Sequence, residues 1–562
     1  MKLLHFELIG EYKGLANQRF DFSNAPGKVI ALVGLNGSGK SQLMELIAEA
    51  FAYLERRKRS DFSARKALKY RFNLSYEWSG DDNNGESLKR YTAQLEADQS
   101  ILISRSIQIR SIATNGENGT PHWSTETDYI LADLPLPRVI GYASGLNENL
   151  QRSFMRNALQ YFNVMRTRSR RRVDLAQSNV DADDYEQINL KYRRRFPGIF
   201  GAPSASAMDD PLRTLEADTP LPNSLFLDYD CTNLLVASLG LLSDAERDQL
   251  WPEVRLRHPR KVTLQYDLRR VPVEQDSIED LKQLIRAVGE GSIRGLSNRT
   301  TDDQYEIYEL NYLQAEITIN FLDPIAIGRL RETYLDPVRL FWKLYKLQLL
   351  GVGRWSLEIR KVLRDDSLNG HVKKPLKGKL PLTVVELVLS DGESSAPIDD
   401  LSDGEAQLLH TIGAVRLFGD AESLFILDEP ETHLNPSWRT RYHLDFEQAG
   451  RSLITSQALI SSHSPFLISS LHREAVYHFE KIDGQSVMAS PPSETFGASF
   501  EVLIKKFFGL RSAISQTAVD EINRHLHDQS MHNTNKRQWI ETHLGESMER
   551  AYILHKLRDS EN

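Results

Sequence analysis

Apolar residues in this chain fall into two patterns. Short unbroken runs rich in β-branched residues read as buried strands: Lys28–Val33 (KVIALV), Ser423–Leu427 (SLFIL) and a shorter stretch ending at Ile460. Elsewhere the apolar positions recur at helical spacing. Leu43, Leu46, Ile47, Ala50, Phe51 and Leu54 form one such face, Ala406–Ile412 another, and Ser277–Val288 a third. Pro137–Gly141 and Thr383–Val388 read as further strands, and Tyr305–Leu313 and Glu316–Phe321 as alternating ones. No heptad repeat is sustained, so long coiled-coil arms are not expected. The pattern predicts an α/β chain in four parts: an α/β part over 1–150, a helical and mixed insert over 151–375, a second α/β part over 376–480, and a helical C-terminal extension over 481–562.

The first strand runs into Gly34-Leu35-Asn36-Gly37-Ser38-Gly39-Lys40-Ser41, which fulfils G-x-x-x-x-G-K-[ST] between a strand and a helix. Glycines allow successive backbone N–H groups to converge on a phosphate, and the helix N-terminus faces the anion. Lys40 is expected on the β- and γ-phosphates and the Ser41 hydroxyl on Mg²⁺. The plain alternative is a chance match in a glycine-rich turn.

The second strand ends in Asp428-Glu429-Pro430-Glu431-Thr432-His433-Leu434-Asn435-Pro436. An acid at a strand's C-terminal end suits Mg²⁺, which points to Asp428. Glu429 beside it suits a general base that activates water. A solvated acidic turn is the competing reading. His463, in Ile460-Ser461-Ser462-His463-Ser464-Pro465-Phe466, fits a switch histidine reaching the γ-phosphate.

Leu-Ser-Asp-Gly-Glu occurs at 389–393 and again at 401–405. The first copy follows a strand and reads as a hairpin turn. The second opens a helix, with Ser402 and Glu405 spaced for a capping box. Ser402, Asp403, Gly404 and Glu405 therefore become candidate nucleotide contacts at a helix N-terminus. An ordinary capped helix would look the same.

These motifs, in this order, resemble the ABC-type ATPase heads, in the branch of RecF, SMC-like proteins and OLD nucleases. The alternating Leu3-His5-Glu7-Ile9 and the following Glu11-Tyr12-Lys13-Gly14-Leu15 fit that branch's first strand. The resemblance implies an α/β P-loop ATPase head assembled from the N- and C-terminal parts, using ATP and Mg²⁺. It also implies a homodimer, or a higher even oligomer, in which the 401–405 helix of one chain closes the nucleotide of the other. Gly34, Asn36, Gly37, Ser38, Gly39, Lys40 and Ser41 would hold ATP, Ser41 and Asp428 the metal, and Glu429 and His463 would act in hydrolysis. A Q-loop glutamine is not evident after Pro137–Gly141, where the chain reads Tyr142-Ala143-Ser144-Gly145.

The 360 residues between Ser41 and Ser402 are too many for a compact head, and no Asp-x-Asp pair follows His463, as a TOPRIM nuclease domain would need. The chain also resembles stand-alone ATPases of bacterial anti-phage systems of the Septu type and of restriction-associated systems. The carriers are Tyr142-Ala143-Ser144-Gly145, Glu494-Thr495-Phe496-Gly497-Ala498-Ser499 and Leu544-Gly545-Glu546-Ser547. That likeness implies a separate effector, such as a nuclease, under nucleotide control. The rival readings are a RecF-like repair ATPase, a nuclease in its own right and a transporter ATPase subunit.

Composition adds limits. Among 562 residues, 69 basic and 77 acidic side chains leave a net charge of −8, so any nucleic-acid surface must be local. Candidates for DNA or RNA contact are Arg166, Arg168, Arg170, Arg171, Arg172, Arg193, Arg194 and Arg195; a second basic stretch spans 54–71. A solvated helix face is the simpler account of either. The lone Cys231 excludes an internal disulfide and reads as a small buried side chain. His525, His527, Asp528 and His532 read as a surface helix rather than a metal site. With no apolar stretch near the ~18 residues of a membrane span, and no apolar leader after Met1, a cytoplasmic protein away from membranes is expected.

Overall fold

The computed structural model describes residues 1–26, 28–58, 66–80, 87–109, 122–144, 148–177, 182–195, 221–269, 271–272, 275–294, 314–367, 370, 372, 380–419, 422–450, 455–510, 512, 514–528 and 530–559. The expected strand over Tyr305–Leu313 lies outside them.

Unbroken apolar runs become the strands of one central sheet, because each is covered on both faces. Its order is β18-β17-β3-β16-β15-β8-β9. The strands are β3 (Val29–Gly34), β8 (Arg138–Ala143), β9 (Ser224–Phe226), β15 (Ser423–Asp428), β16 (Gln457–Ser462), β17 (Val476–Ile482) and β18 (Gln485–Ala489). All pairings are parallel except β17 with β18. The N- and C-terminal parts of the chain therefore interleave, with β3 lying between β17 and β16.

Successive residues of a strand face opposite sides, and β3 shows where each side goes. Ile30 and Leu32 join one core with the helix Lys40–Arg57 and an antiparallel sheet. That sheet has the order β2-β1-β4-β5-β6-β7. Its members are β1 (Lys2–Tyr12), β2 (Leu15–Asp21), β4 (Arg71–Gly80), β5 (Ser87–Leu95), β6 (Ile101–Ile109) and β7 (His122–Glu126). Val29, Ala31 and Val33 join the second core, with the helices Tyr229–Leu239, Pro337–Leu349 and Asp403–Phe418.

A third sheet backs this second core, in the order β11-β12-β10-β13-β14. It comprises β10 (His258–Asp267), β11 (Ile293–Arg294), β12 (Gln314–Asn320), β13 (Leu382–Ser390) and β14 (Ser395–Pro397). The first Leu-Ser-Asp-Gly-Glu string is the β13–β14 turn. Asp391 Oδ1 accepts from the N–H groups of Glu393 and Ser394 at 2.9 and 2.7 Å, and Gly392 takes φ +102°.

The α/β class and the split assembly follow the sequence pattern, and strand pairing crosses the expected boundaries. A cut at 375/376 would separate β13 from β10, its hydrogen-bonded partner. A cut at 480/481 falls inside β17, which pairs with β18. β9, from the expected insert, edges the central sheet beside β8. Non-local strand pairing is not readable from local periodicity. Among the described residues, no helix is long and apolar enough to cross a membrane.

Candidate functional site

The end of β3 and the turn after it hold two glycines at which a side chain would be strained or would clash. A Cβ on Gly34 (φ +142°) would lie 2.3 Å from the carbonyl oxygen of Phe479, and one on Gly39 (φ +115°) 3.0 Å from Ser486. The turn is thus pressed against β17 and β18. Gly39 precedes the helix Lys40–Arg57 in a left-handed conformation and gives it no side-chain cap, so the first-turn N–H groups stay open to an anion. Ser38 Oγ is buried without a hydrogen-bond partner among the described residues. Leu35, Asn36 and Gly37 are exposed at the tip.

Lys40 is buried, and its Nζ donates to the carbonyls of Gly34 and Leu35 at 2.9 and 3.1 Å. Burial pushes its ammonium down to about 8, against the opposing pull of Asp428 and Glu429. A cation held among backbone acceptors and short of a full counter-charge suits an incoming phosphate. Ser41 Oγ lies 3.2 Å from both carboxylate oxygens of Asp428, across 387 positions of sequence. A hydroxyl and a carboxylate at that spacing are the oxygen donors a hard divalent cation takes.

β15 and β16 run parallel, so their C-terminal ends open side by side. Asp428 ends β15 and accepts from the Ser461 hydroxyl of β16. Glu429 follows at φ +51°, a region that ordinary side chains rarely occupy. Its N–H donates to the carbonyl and hydroxyl oxygens of Ser461 at 3.2 and 3.1 Å. Local strain held by such contacts concentrates at functional sites. The carboxylate is gripped from both sides, by His463 Nε2 at 3.2 Å from Oε1 and by Thr432 Oγ1 at 3.1 Å from Oε2. The His463 hydrogen bond, above the opposing effect of burial, holds Glu429 below the usual carboxylate range. Ser144, just after β8, donates its N–H to the Asp428 carbonyl at 3.1 Å and points its hydroxyl at Thr432. The position where no Q-loop glutamine was evident thus carries a serine against the acid turn.

The helix Asp403–Phe418 starts with the expected capping box. The Ser402 N–H donates to Glu405 Oε2 at 3.1 Å, and the Glu405 N–H to Ser402 Oγ at 3.3 Å. Ser402 and Asp403 are exposed, whereas Gly404 is buried against the acid turn, where a Cβ would come 2.9 Å from the His433 carbonyl. Gln407 fixes that packing. Its Nε2 donates to Tyr142 Oη at 3.1 Å and its Oε1 accepts from the His433 N–H at 3.0 Å. The structure thus gathers Lys40, Ser41, Asp428, Glu429 and His463, with the 401–405 helix start braced beside the acid turn. No role in the site was expected from the sequence for Thr432, Ser461, Ser144 and Gln407.

The arginine run does not form one exposed strip. Arg171 is buried, Arg166 and Arg168 are half-buried, and Arg170 is exposed. Arg166 lies over the Phe162 ring. Neighbouring residues of a helix point to different faces, which is why a linear run does not stay together. The side chains of Arg172, Arg193, Arg194 and Arg195 lie outside the described ones. In the 54–71 stretch, of which 59–65 lie outside the described residues, Arg56 bonds Glu49 at 2.6 Å, Arg57 the Gln99 carbonyl at 3.1 Å and Lys58 the Leu134 carbonyl at 2.7 Å. Cys231 is buried, with its Sγ donating to backbone carbonyls. His525 stacks on Trp539, and among the described residues no group of three His, Cys, Asp or Glu could hold a metal.

The family described as "AAA domain, putative AbiEii toxin, Type IV TA system" matches residues 285–469. That span holds Ser402–Glu405, Asp428, Glu429 and His463 but not the phosphate loop. Solved structures with some likeness include an SMC head bound to the C-terminal winged-helix domain of ScpA, at 12% identity over 88% of this chain and 98% of that one, with a TM-score of 0.32. The SMC head domain from Thermotoga maritima follows at 10% identity, 88% and 100% coverage, and a TM-score of 0.27. RecF with ATP, from the RecFOR pathway, stands at 12% identity, 87% and 98% coverage, and 0.27. Likenesses of that size carry no functional argument. No curated protein matches the chain.

Proposed function

We propose that this chain is an ATP-hydrolysing switch of the ABC and SMC-like type, in which two copies enclose each nucleotide and control a separate effector. The carrying observation is the approach of Ser41 to Asp428, with Lys40 and the Glu429–His463 pair beside it. The open N–H groups and Lys40 bind the triphosphate. Ser41 and Asp428 are the residues that would hold Mg²⁺, which when bound neutralises charge on the β- and γ-phosphates. Glu429 stays ionised at neutral pH and takes the proton of the attacking water, while Thr432 and His463 hold its oxygens in place. His463 also reaches the γ-phosphate. Ser402–Glu405 of a second copy closes the site, which makes affinity for the closed dimer depend on that phosphate.

The effector is a partner protein such as a nuclease, and the setting is bacterial antiviral defence. A family name that refers to a toxin–antitoxin system supports a two-component arrangement. Mass measurement with ATP and Mg²⁺ tests the switch: the Glu429→Gln chain is expected as a nucleotide-loaded dimer, and a monomer with ATP bound would reject it. Plaque counts in a host carrying this gene and its neighbours test the setting. Protection that is unchanged by Lys40→Ala would remove the ATP switch from it.

A further inference from the structure

The acid turn carries a third carboxyl, Glu431, which the proposed hydrolysis does not use. It is 3% exposed, and burial pushes it up to about 7. The Ser462 hydroxyl donates to its Oε1, while Oε2 is buried with no hydrogen-bond partner among the described residues. Ser462 also accepts the Ser464 N–H at 2.9 Å. His463 therefore sits between two residues tied into one relay that ends on Glu431. At its other end, Glu431 belongs to the turn of Glu429, which is closed by Thr432 N–H to the Glu429 carbonyl at 3.3 Å and Leu434 N–H to the Glu431 carbonyl at 3.1 Å.

We infer that Glu431 is a positioning residue that locks the loop bearing His463 to the turn bearing Glu429, and so sets the contact between those two side chains. Several features favour this over a role in packing alone. A carboxyl is a costly group to bury merely to fill space, and this one leaves an oxygen unsatisfied. Its one side-chain hydrogen-bond partner among the described residues lies next to the switch histidine rather than in the general core. The groups facing it are Glu429 on its own turn, Arg439 and Tyr442 on the following helix Pro436–Ala449, and Tyr142 near the end of β8. Burial disfavours the charged form of this carboxyl, and glutamine is the isostere of the neutral form.

The inference rests on the proposed ATP hydrolysis, so the test measures wild type and Glu429→Gln beside the new variants. Steady-state hydrolysis and equilibrium binding of a fluorescent ATP analogue are read together. Glu431→Ala is expected to lower kcat about tenfold or more with nucleotide affinity within about threefold, as losing a supporting hydrogen bond commonly does. Glu431→Gln should restore turnover to within about threefold of wild type. Ser462→Ala removes the other half of the contact. It should reproduce the Glu431→Ala loss, and the double variant should be no worse than either single one. If Glu431→Ala does not fold, Ser462→Ala alone decides. An active wild type beside unimpaired Glu431→Ala or Ser462→Ala would overturn the inference, as would additive losses in the double variant. A folded wild type that binds but never hydrolyses ATP would instead overturn the proposed function.

Discussion

His463 Nε2 lies 3.2 Å from Glu429 Oε1, although the two residues follow different strands. Thr432 holds the second oxygen of the same carboxylate at 3.1 Å. A carboxylate held in this way is pre-aimed for the proposed role of base, and the histidine hydrogen bond lowers its pKa. Glu429→Gln should therefore cut hydrolysis by about a hundredfold or more while ATP still binds. The sign of the pH effect follows. Activity falls as pH drops through the pKa of Glu429, and removing the histidine hydrogen bond raises that pKa. The acid limb of kcat/KM against pH should move upward in His463→Ala.

Ser402 and Asp403 are exposed at the start of their helix, and Ser402 bonds to its own capping partner, Glu405. That leaves them accessible to a nucleotide held by another copy. Lys40→Ala and Ser402→Arg should each be inactive alone. Mixed, they form heterodimers in which one composite site has both an intact Lys40 and an intact Ser402. With two-fold symmetry and random pairing, about a quarter of wild-type activity should return. No recovery on mixing, with heterodimers demonstrated, would place both residues on one chain's nucleotide.

The phosphate loop and acid turn were legible because their chemistry restricts residue type over a short span. Gly34 and Gly39 show the backbone reason, since a side chain at either would meet β17 or β18. The two equal strings at 389–393 and 401–405 were separable by what flanks them, a strand in one case and a helix in the other. Three-dimensional neighbours were not legible. Ser461, Thr432 and Ser144 are small hydroxyl residues common in any turn, and only the parallel pairing of β15 with β16 and β8 makes them partners of Asp428 and Glu429. Burial within the basic stretches was not legible for the same reason: charge in sequence does not report which face a residue takes, and Arg56 and Arg171 are buried.

Glu49 anchors a buried cluster of arginines. Its carboxylate bonds Arg56 at 2.6 Å, Arg156 at 2.9 Å and the Ser153 hydroxyl at 2.6 Å, all buried. The arginines outweigh the cost of burial and hold it down to about 2, whereas burial pushes the neighbouring Asp366 up. Glu49→Ala leaves two buried guanidinium groups to share Asp366 and should cost about 3–5 kcal/mol. A lowered carboxylate pKa contributes stability above its unfolded value of 4.5, and that contribution is lost as pH falls towards 2. Urea unfolding of wild type and variant at pH 7 and pH 4 should show the gap narrowing in acid.

His410 presents the opposite sign. It lies buried in the helix Asp403–Phe418, with Nε2 lacking a partner among the described residues, and burial alone pushes it down to about 4. The unfolded chain takes up a proton near 6.5, and the folded chain does not until about 4. Between those values the unfolded state binds more protons, so stability drops as pH falls. The loss assignable to this one residue is about 3 kcal/mol across that window. His410→Leu has no proton to gain, so its urea midpoint should change less between pH 6.5 and pH 4 than that of wild type. Equal losses in the two proteins would mean that His410 keeps a solvated or hydrogen-bonded charge in the fold. The signature helix would then have to open around it in acid.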